Sequence, residues 1–214
     1  TKKPEVKEVE LTQEEITDLT KIADKINDGF SKYYPITDLS VIDNQDLLRL
    51  GEEGLYDWNT GNTFTSAQVE ANVKKYFGNS VTVKHEGIKC NLNCEEPLFS
   101  YDGNGTYSYN KNHPGHGGSG GMDAYTFYDN GTKKGNTITI SFKVVYQSYP
   151  DIGPSYQLYA NYNDKTPIYT AEDPENANIT EEFASNYKDQ ASTITFTFEV
   201  SEDGVYSVKT ITVK

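Results

Sequence analysis

A chain of 214 residues, 35% hydrophobic and 13% aromatic, is long enough for one generous domain or two small ones and rich enough for a packed core. Its formal net charge of -13 argues against nucleic acid and anionic membrane surfaces as partners, since both demand Lys or Arg clustered against phosphates. No apolar run of about 18 residues occurs, so no segment reads as a transmembrane span.

Thr1 to Glu10 is charged and without periodicity, and reads as a linker or tether. The opening Thr1-Lys2-Lys3-Pro4 has neither a starting Met nor an apolar signal core, which suggests a processed N-terminus and is compatible with a lipid anchor upstream. Thr12 and Glu15 then form a capping box, with Leu11 and Ile16 as a hydrophobic staple. Ile16, Leu19, Ala23, Ile26, Phe30 and Tyr33 follow at helical spacing, and Pro35 predicts a stop near Tyr34. Asp43 caps a second predicted helix, with Ile42 against Leu47. A third starts across Phe64 to Val69, presents Val69, Val73 and Tyr76 or Phe77 inward, and stops at Gly78. Trp58 to Asn62, between the second and third, reads as a loop.

From Ser80 the period changes to two. Val81 and Val83 open a strand toward Ile88, and Leu98 to Tyr109 predicts a hairpin turning at Asp102-Gly103-Asn104-Gly105. Tyr125 to Tyr128 is expected to pair, across Asn130-Gly131, with one long strand from Thr137 to Tyr149, bent around a core. Tyr156 to Tyr162 and Ile168 to Tyr169 predict short strands, and Asn178 to Lys188 a short helix. The chain closes on a hairpin: Ile194, Phe196, Phe198 and Val200 alternate with polar residues, Ser201 to Gly204 turns, and Val205 to Val213 returns. That last strand is apolar toward both faces in places, which predicts a bulge or strong twist and helices over one face. The fold class is therefore α+β: one domain over 11–214, with N-terminal helices (11–78) packed on a long, curved antiparallel sheet (80–214).

Helices followed by such a sheet resemble the cone of nuclear transport factor 2-like (NTF2-like) or cystatin-like domains. KYYPITD (Lys32 to Asp38), KYFGNSVTVKHEGIKC (Lys75 to Cys90), NHPGHGG (Asn112 to Gly118) and the closing TFTFEVSEDGVYSVKTITVK are similar to stretches of uncharacterised exported proteins or lipoproteins of low-GC Gram-positive bacteria. The resemblance implies an extracellular, cell-surface-anchored envelope protein, and it carries no activity or site residue with it.

The candidate sites rest on chemistry. Cys90 and Cys94, three residues apart across an Asn-rich turn, predict a disulfide suited to an exported protein; two free thiols in a reducing cell are the competing reading. A zinc site on cysteines alone lacks ligands. His113 and His116 share a Gly-rich loop, and with Asp123, or His85 as an alternative third ligand, they form a candidate transition-metal set. The competing reading is a solvated loop. The loop is no phosphate cradle, since Gly121 runs into a strand rather than a helix. No nucleophile elbow or acid–base set can be assembled, so catalysis is not expected, and no cofactor is implied. Tyrosine is abundant in the predicted sheet, and Tyr107, Tyr109 and Tyr125 are candidate ligand contacts for a surface glycan or a protein partner. The opposing reading is that tyrosine simply suits half-buried strand positions. The expected function is a non-catalytic ligand-binding or interaction domain, with metal binding through His113 and His116 as the alternative.

Overall fold

The computed structural model describes residues 7–90, 94–114, 122–148, 156–171 and 179–214. In chain order its elements are β1 (Glu8–Glu10), α1 (Gln13–Phe30), α2 (Asn44–Glu52), β2 (Phe64–Thr65), α3 (Ser66–Phe77), β3 (Phe99–Tyr101), β4 (Thr106–Tyr109), β5 (Met122–Lys134), β6 (Thr137–Ser148), β7 (Gln157–Tyr159), β8 (Tyr169–Thr170), α4 (Glu181–Ser185), β9 (Thr193–Val200) and β10 (Tyr206–Val213). The fold is α+β, and its described residues group into two compact units, one from Thr1–Asp38 with Gly120–Lys214 and the other from Leu39–Ser119.

In the first unit α1 starts where its capping box requires: the Glu15 amide donates to Thr12 Oγ1 and the Thr12 amide to the Glu15 carboxylate. Its inward face, Leu19, Ala23, Ile26 and Phe30, is buried and packs along β5. The helix ends at Phe30 and tightens into a 3-10 turn, Ser31–Tyr33, ahead of Pro35. Antiparallel pairing gives the order β1-β5-β6-β7-β8, and β6 also carries the β9–β10 hairpin. Its first half pairs with β9 from Thr137 to Lys143, and its end pairs with β7 from Tyr146 to Ser148. Residues 1–10 read as a linker, yet Glu8–Glu10 pairs with Thr132 to Lys134 as an exposed, charged edge strand.

β6 alternates exposed and buried over Thr137 to Ile140 and is covered on both faces from Ser141 onward. Ile138, Ile140, Phe142, Val144 and Tyr146 face the main core, while Val145 joins Leu158, Ala184 and Ala191, with Phe183 and Tyr187 packed over them. The β10 bulge lies between Val208 and Thr210, and it sets Val208 opposite Phe198 and Ile211 opposite Phe196. Two residues of opposite parity thus reach one buried face.

Asn130-Gly131 does not turn the chain. β5 runs through it, with a register shift between Tyr128 and Asn130, and the hairpin closes at Gly135 and Asn136. Gly131 serves close packing: a Cβ there would lie 2.7 Å from Leu11 Cδ1 and 3.1 Å from Ile140 Cγ1.

The second unit packs α2 and α3 with the small sheet β2-β4-β3 around Leu48, Phe64, Val69, Ile88, Phe99 and Tyr107. Asp43 caps α2 by accepting from the Gln45 amide, and Thr65 with Gln68 forms a capping box on α3, which stops at Gly78 in a positive-φ conformation. The strand expected from Val81 to Ile88 has no ladder: only Ile88 bridges to Phe99. Side chains of α2 take the place of a neighbouring strand. Asn44 Oδ1 accepts from the Lys84 amide and Asn44 Nδ2 donates to the Lys84 carbonyl, both at 2.8 Å. Gln45 does the same across Gly87 and Lys89. Backbone groups are satisfied without a partner strand.

Candidate functional site

After α2 the chain makes a loop from Tyr56 to Asn62 that its own polar side chains lock. The Asp57 carboxylate accepts from the Asn59 amide and the Thr60 hydroxyl, each at 2.8 Å. Those two donors hold its pKa below the usual carboxylate range. Asn62 Oδ1 accepts from the Asp57 amide, Asn62 Nδ2 donates to the carbonyls of Leu55 and Thr63, and the Gly61 amide closes onto the Asp57 carbonyl. The Asp-x-Asn turn and its Asn62 clamp present Trp58 to solvent, with 67% of its surface exposed.

Trp58 is held from below by aromatic side chains. Tyr56 meets it edge-on at 4.9 Å between ring centroids, and Tyr109 at 5.5 Å. Tyr56 and Tyr109 stack on each other at 5.6 Å, and Tyr56 rests against buried Phe99 at 5.1 Å. These are the spacings of favourable aromatic pairs. The indole is thus exposed yet anchored to the core, with the carboxylate and amides of Asp57, Asn59 and Asn62 in the same loop.

Tyr107, proposed from sequence as a ligand contact beside Tyr109, is fully buried. Both residues lie on the same face of β4, but Phe64 stacks over Tyr107 at 5.2 Å, whereas Tyr109 reaches the strand end under Trp58. The Tyr107 hydroxyl lies 2.9 Å from His85 Nδ1, and His85 Nε2 lies 2.9 Å from Glu70 Oε1. Burial, reinforced by Tyr101, pushes the Tyr107 hydroxyl up to about 12. A phenol so protonated is a poor nucleophile, and the His85 ring is fixed by a partner on each nitrogen; the arrangement positions side chains more readily than it moves a substrate proton. Glu70 also borders a cleft of about 250 Å³ walled by Val73, Lys74 and Val83. That is below the roughly 300–1,000 Å³ of ligand pockets.

Tyr125, on β5 in the other unit, is half-buried, and its hydroxyl donates to Gln147 Oε1 at 2.6 Å with the Ile179 carbonyl at 3.0 Å. Its polar end is engaged inside the protein. Asp123, also on β5, neighbours acidic α1 side chains: burial, with the Asp123 charge behind it, pushes the Asp28 carboxyl up, and burial raises Asp24 likewise. His116 lies outside the described residues.

His113 is 6% exposed. Its amide donates to the Asn110 carbonyl at 3.0 Å, while Asn110 Nδ2 donates to the Pro97 carbonyl at 2.9 Å. The side chains this turn brings to His113 are those of Cys90 and Cys94, whose sulfurs lie with a His113 ring nitrogen in a group spanning no more than 4.8 Å. The two cysteines are joined as a disulfide, with their Cα atoms 5.8 Å apart. Eighteen or more residues lie between His113 and either cysteine, so no local motif announces the group.

Comparison with protein-family models, with curated proteins and with solved structures finds no match for this chain.

Proposed function

We propose that the chain is a non-catalytic binding module of the cell surface that stacks neutral sugar rings on Trp58, with Tyr56 and Tyr109 as its support. The observation that carries this reading is the exposed indole on a loop locked by Asp57 and Asn62. An aromatic face offers the C–H side of a sugar a dry contact, and beside it the Asp57 carboxylate offers further acceptor positions and the Asn59 side-chain amide offers donors to its hydroxyls. Little side-chain entropy remains to be lost, because the aromatic neighbours already hold the ring. The net charge of -13 favours neutral over anionic polymers. An exported, wall-associated or lipid-anchored location agrees with the Cys90–Cys94 disulfide and with the resemblance to envelope proteins.

The test is retention on an array of neutral surface glycans. Wild type is expected to retain a defined subset, and Trp58→Ala to lose about tenfold or more in affinity, equivalent to roughly 1.4 kcal/mol, while it still unfolds cooperatively at a modestly lower melting temperature. A Trp58→Ala protein that binds the same glycans as tightly contradicts the assignment, as does a wild type that retains none.

A further inference from the structure

We infer that Cys90, Cys94 and His113 form a redox-gated zinc site: closed while the cysteines are a disulfide, and able to take Zn2+ once a dithiol has reduced them. The inference is independent of the Trp58 platform.

Two sulfurs and one imidazole nitrogen are a soft donor set of the kind that selects zinc. Tetrahedral zinc with bonds of about 2.3 Å to sulfur and about 2.0–2.1 Å to nitrogen places its donors roughly 3.5–3.8 Å apart. The three donor atoms here already lie within 4.8 Å of one another, so the imidazole needs only a small approach and the sulfurs need to separate. A Cα–Cα spacing of 5.8 Å permits that separation by side-chain rotation.

The backbone at Cys90 and at His113 is held by bonds that do not depend on the disulfide. Arg49 donates to the carbonyls of Lys89 and Cys90, at 3.2 and 3.4 Å, and Gln45 Oε1 accepts from the Lys89 amide at 2.9 Å. Arg49 is itself paired with Asp46 on α2. Asn110 holds the His113 turn to the Pro97 and Leu98 carbonyls, at 2.9 Å each. Reduction therefore leaves the Cys90 and His113 backbone in place. Burial of His113 and Cys94 also excludes the bulk water that would compete for the metal.

The chemistry balances in two steps. A dithiol reductant passes two electrons and two protons to the Cys90–Cys94 bond, becomes a disulfide itself, and leaves two thiols. Zn2+ then binds both sulfurs and the His113 nitrogen, and the two thiol protons are released to solvent. Three protein ligands leave a fourth position for water or an added ligand. A disulfide oxidant that takes two electrons from the thiolates, and is itself reduced to a dithiol, re-forms the Cys90–Cys94 bond and expels Zn2+.

The test compares oxidised and phosphine-reduced protein, freed of reductant, in competition with a chromogenic chelator for Zn2+, with Co2+ as the spectroscopic probe. The expected result is one chelator-resistant zinc per reduced chain, none in the oxidised chain, and a thiolate-to-cobalt charge-transfer band in the reduced form. His113→Ala is expected to weaken zinc binding by about tenfold or more, at least the loss seen when a mere supporting residue is removed from such sites. His113→Cys supplies a sulfur in place of the imidazole and is expected to keep the tight zinc, which separates lost ligation from a lost fold. Zinc uptake equal in the oxidised chain, no uptake in the reduced chain, or His113→Ala binding as tightly as wild type would each overturn the assignment.

Discussion

Asn27 shows how much one buried polar residue organises. It is fully buried in α1, its Nδ2 donates to Thr126 Oγ1 at 3.1 Å, and its Oδ1 accepts from the Tyr34 hydroxyl at 2.7 Å. One turn on, Ser31 Oγ pairs with the buried Tyr146 hydroxyl at 2.8 Å, and burial pushes that phenol up to about 12. Replacing Asn27 by Ala removes one hydrogen bond from Thr126 and one from Tyr34, and a loss of about 1–3 kcal/mol is expected by chemical denaturation, with the slope of the transition unchanged. Glu52 makes the opposite kind of demand. Burial first, and the adjacent Glu53 charge second, push its carboxyl up to about 7 from an ordinary 4.5. Between those values the native chain holds a proton that the unfolded chain has released, so stability falls as pH rises through the window and the cost is complete above about 7. Asp24 and Asp28, raised in the same direction, add to that slope. Glu52→Gln is accordingly expected to be more stable than wild type at pH 8, by about 1–3 kcal/mol, and to lose the difference near pH 4. Melting curves across pH check it.

Among the elements, α2 does the most for the second unit. Its N-terminal amides hold the extended segment 84–89, its last turn leads into the Trp58 loop, and its contact with α3 depends on Gly51. A Cβ at Gly51 would lie 2.5 Å from Val69 Cγ1 and 2.9 Å from the Val69 carbonyl oxygen. Because backbone is among the atoms met, Gly51→Ala must push the helices apart; a loss of about 1–3 kcal/mol is expected in thermal unfolding, against the small gain of Ala in a helix elsewhere.

The elements were largely legible from local rules. Capping at Thr12, Asp43 and Thr65, the Gly78 stop, the turns at Asp102 to Gly105 and Ser201 to Gly204, and the bulged last strand all follow from residue chemistry within a few positions. What failed depended on tertiary partners. Asn130-Gly131 has the composition of a tight turn but meets Leu11 and Ile140, and Val81 to Ile88 has strand alternation but bonds to side chains of α2. The candidate site was half visible. Tyr109 was singled out for its residue type; Tyr107 carried the same signal, and only Phe64 decides that it is covered. Trp58 passed as a loop residue, although a lone Trp between Asp57 and Asn59, in a segment ending Gly61-Asn62, was a signal for a displayed aromatic.

For the whole molecule, a charge of -13 makes binding to neutral sugars and binding to charged polymers separable by salt. Stacking on Trp58 is expected to hold its dissociation constant within about twofold between 0.05 and roughly 0.5 M salt, since no ion pair is broken and no counterion released. A steep salt slope in the same titration would mark an ionic ligand instead. The most direct measurement uses the fact that Trp58 is the only tryptophan of the chain, so its fluorescence reports the proposed platform alone. Acrylamide quenching of the indole should be strong in the free protein, in keeping with 67% exposure. A retained glycan is expected to lower the quenching constant saturably, on the same curve as its binding. Quenching that stays unchanged while the glycan is fully bound would place recognition elsewhere and contradict the account.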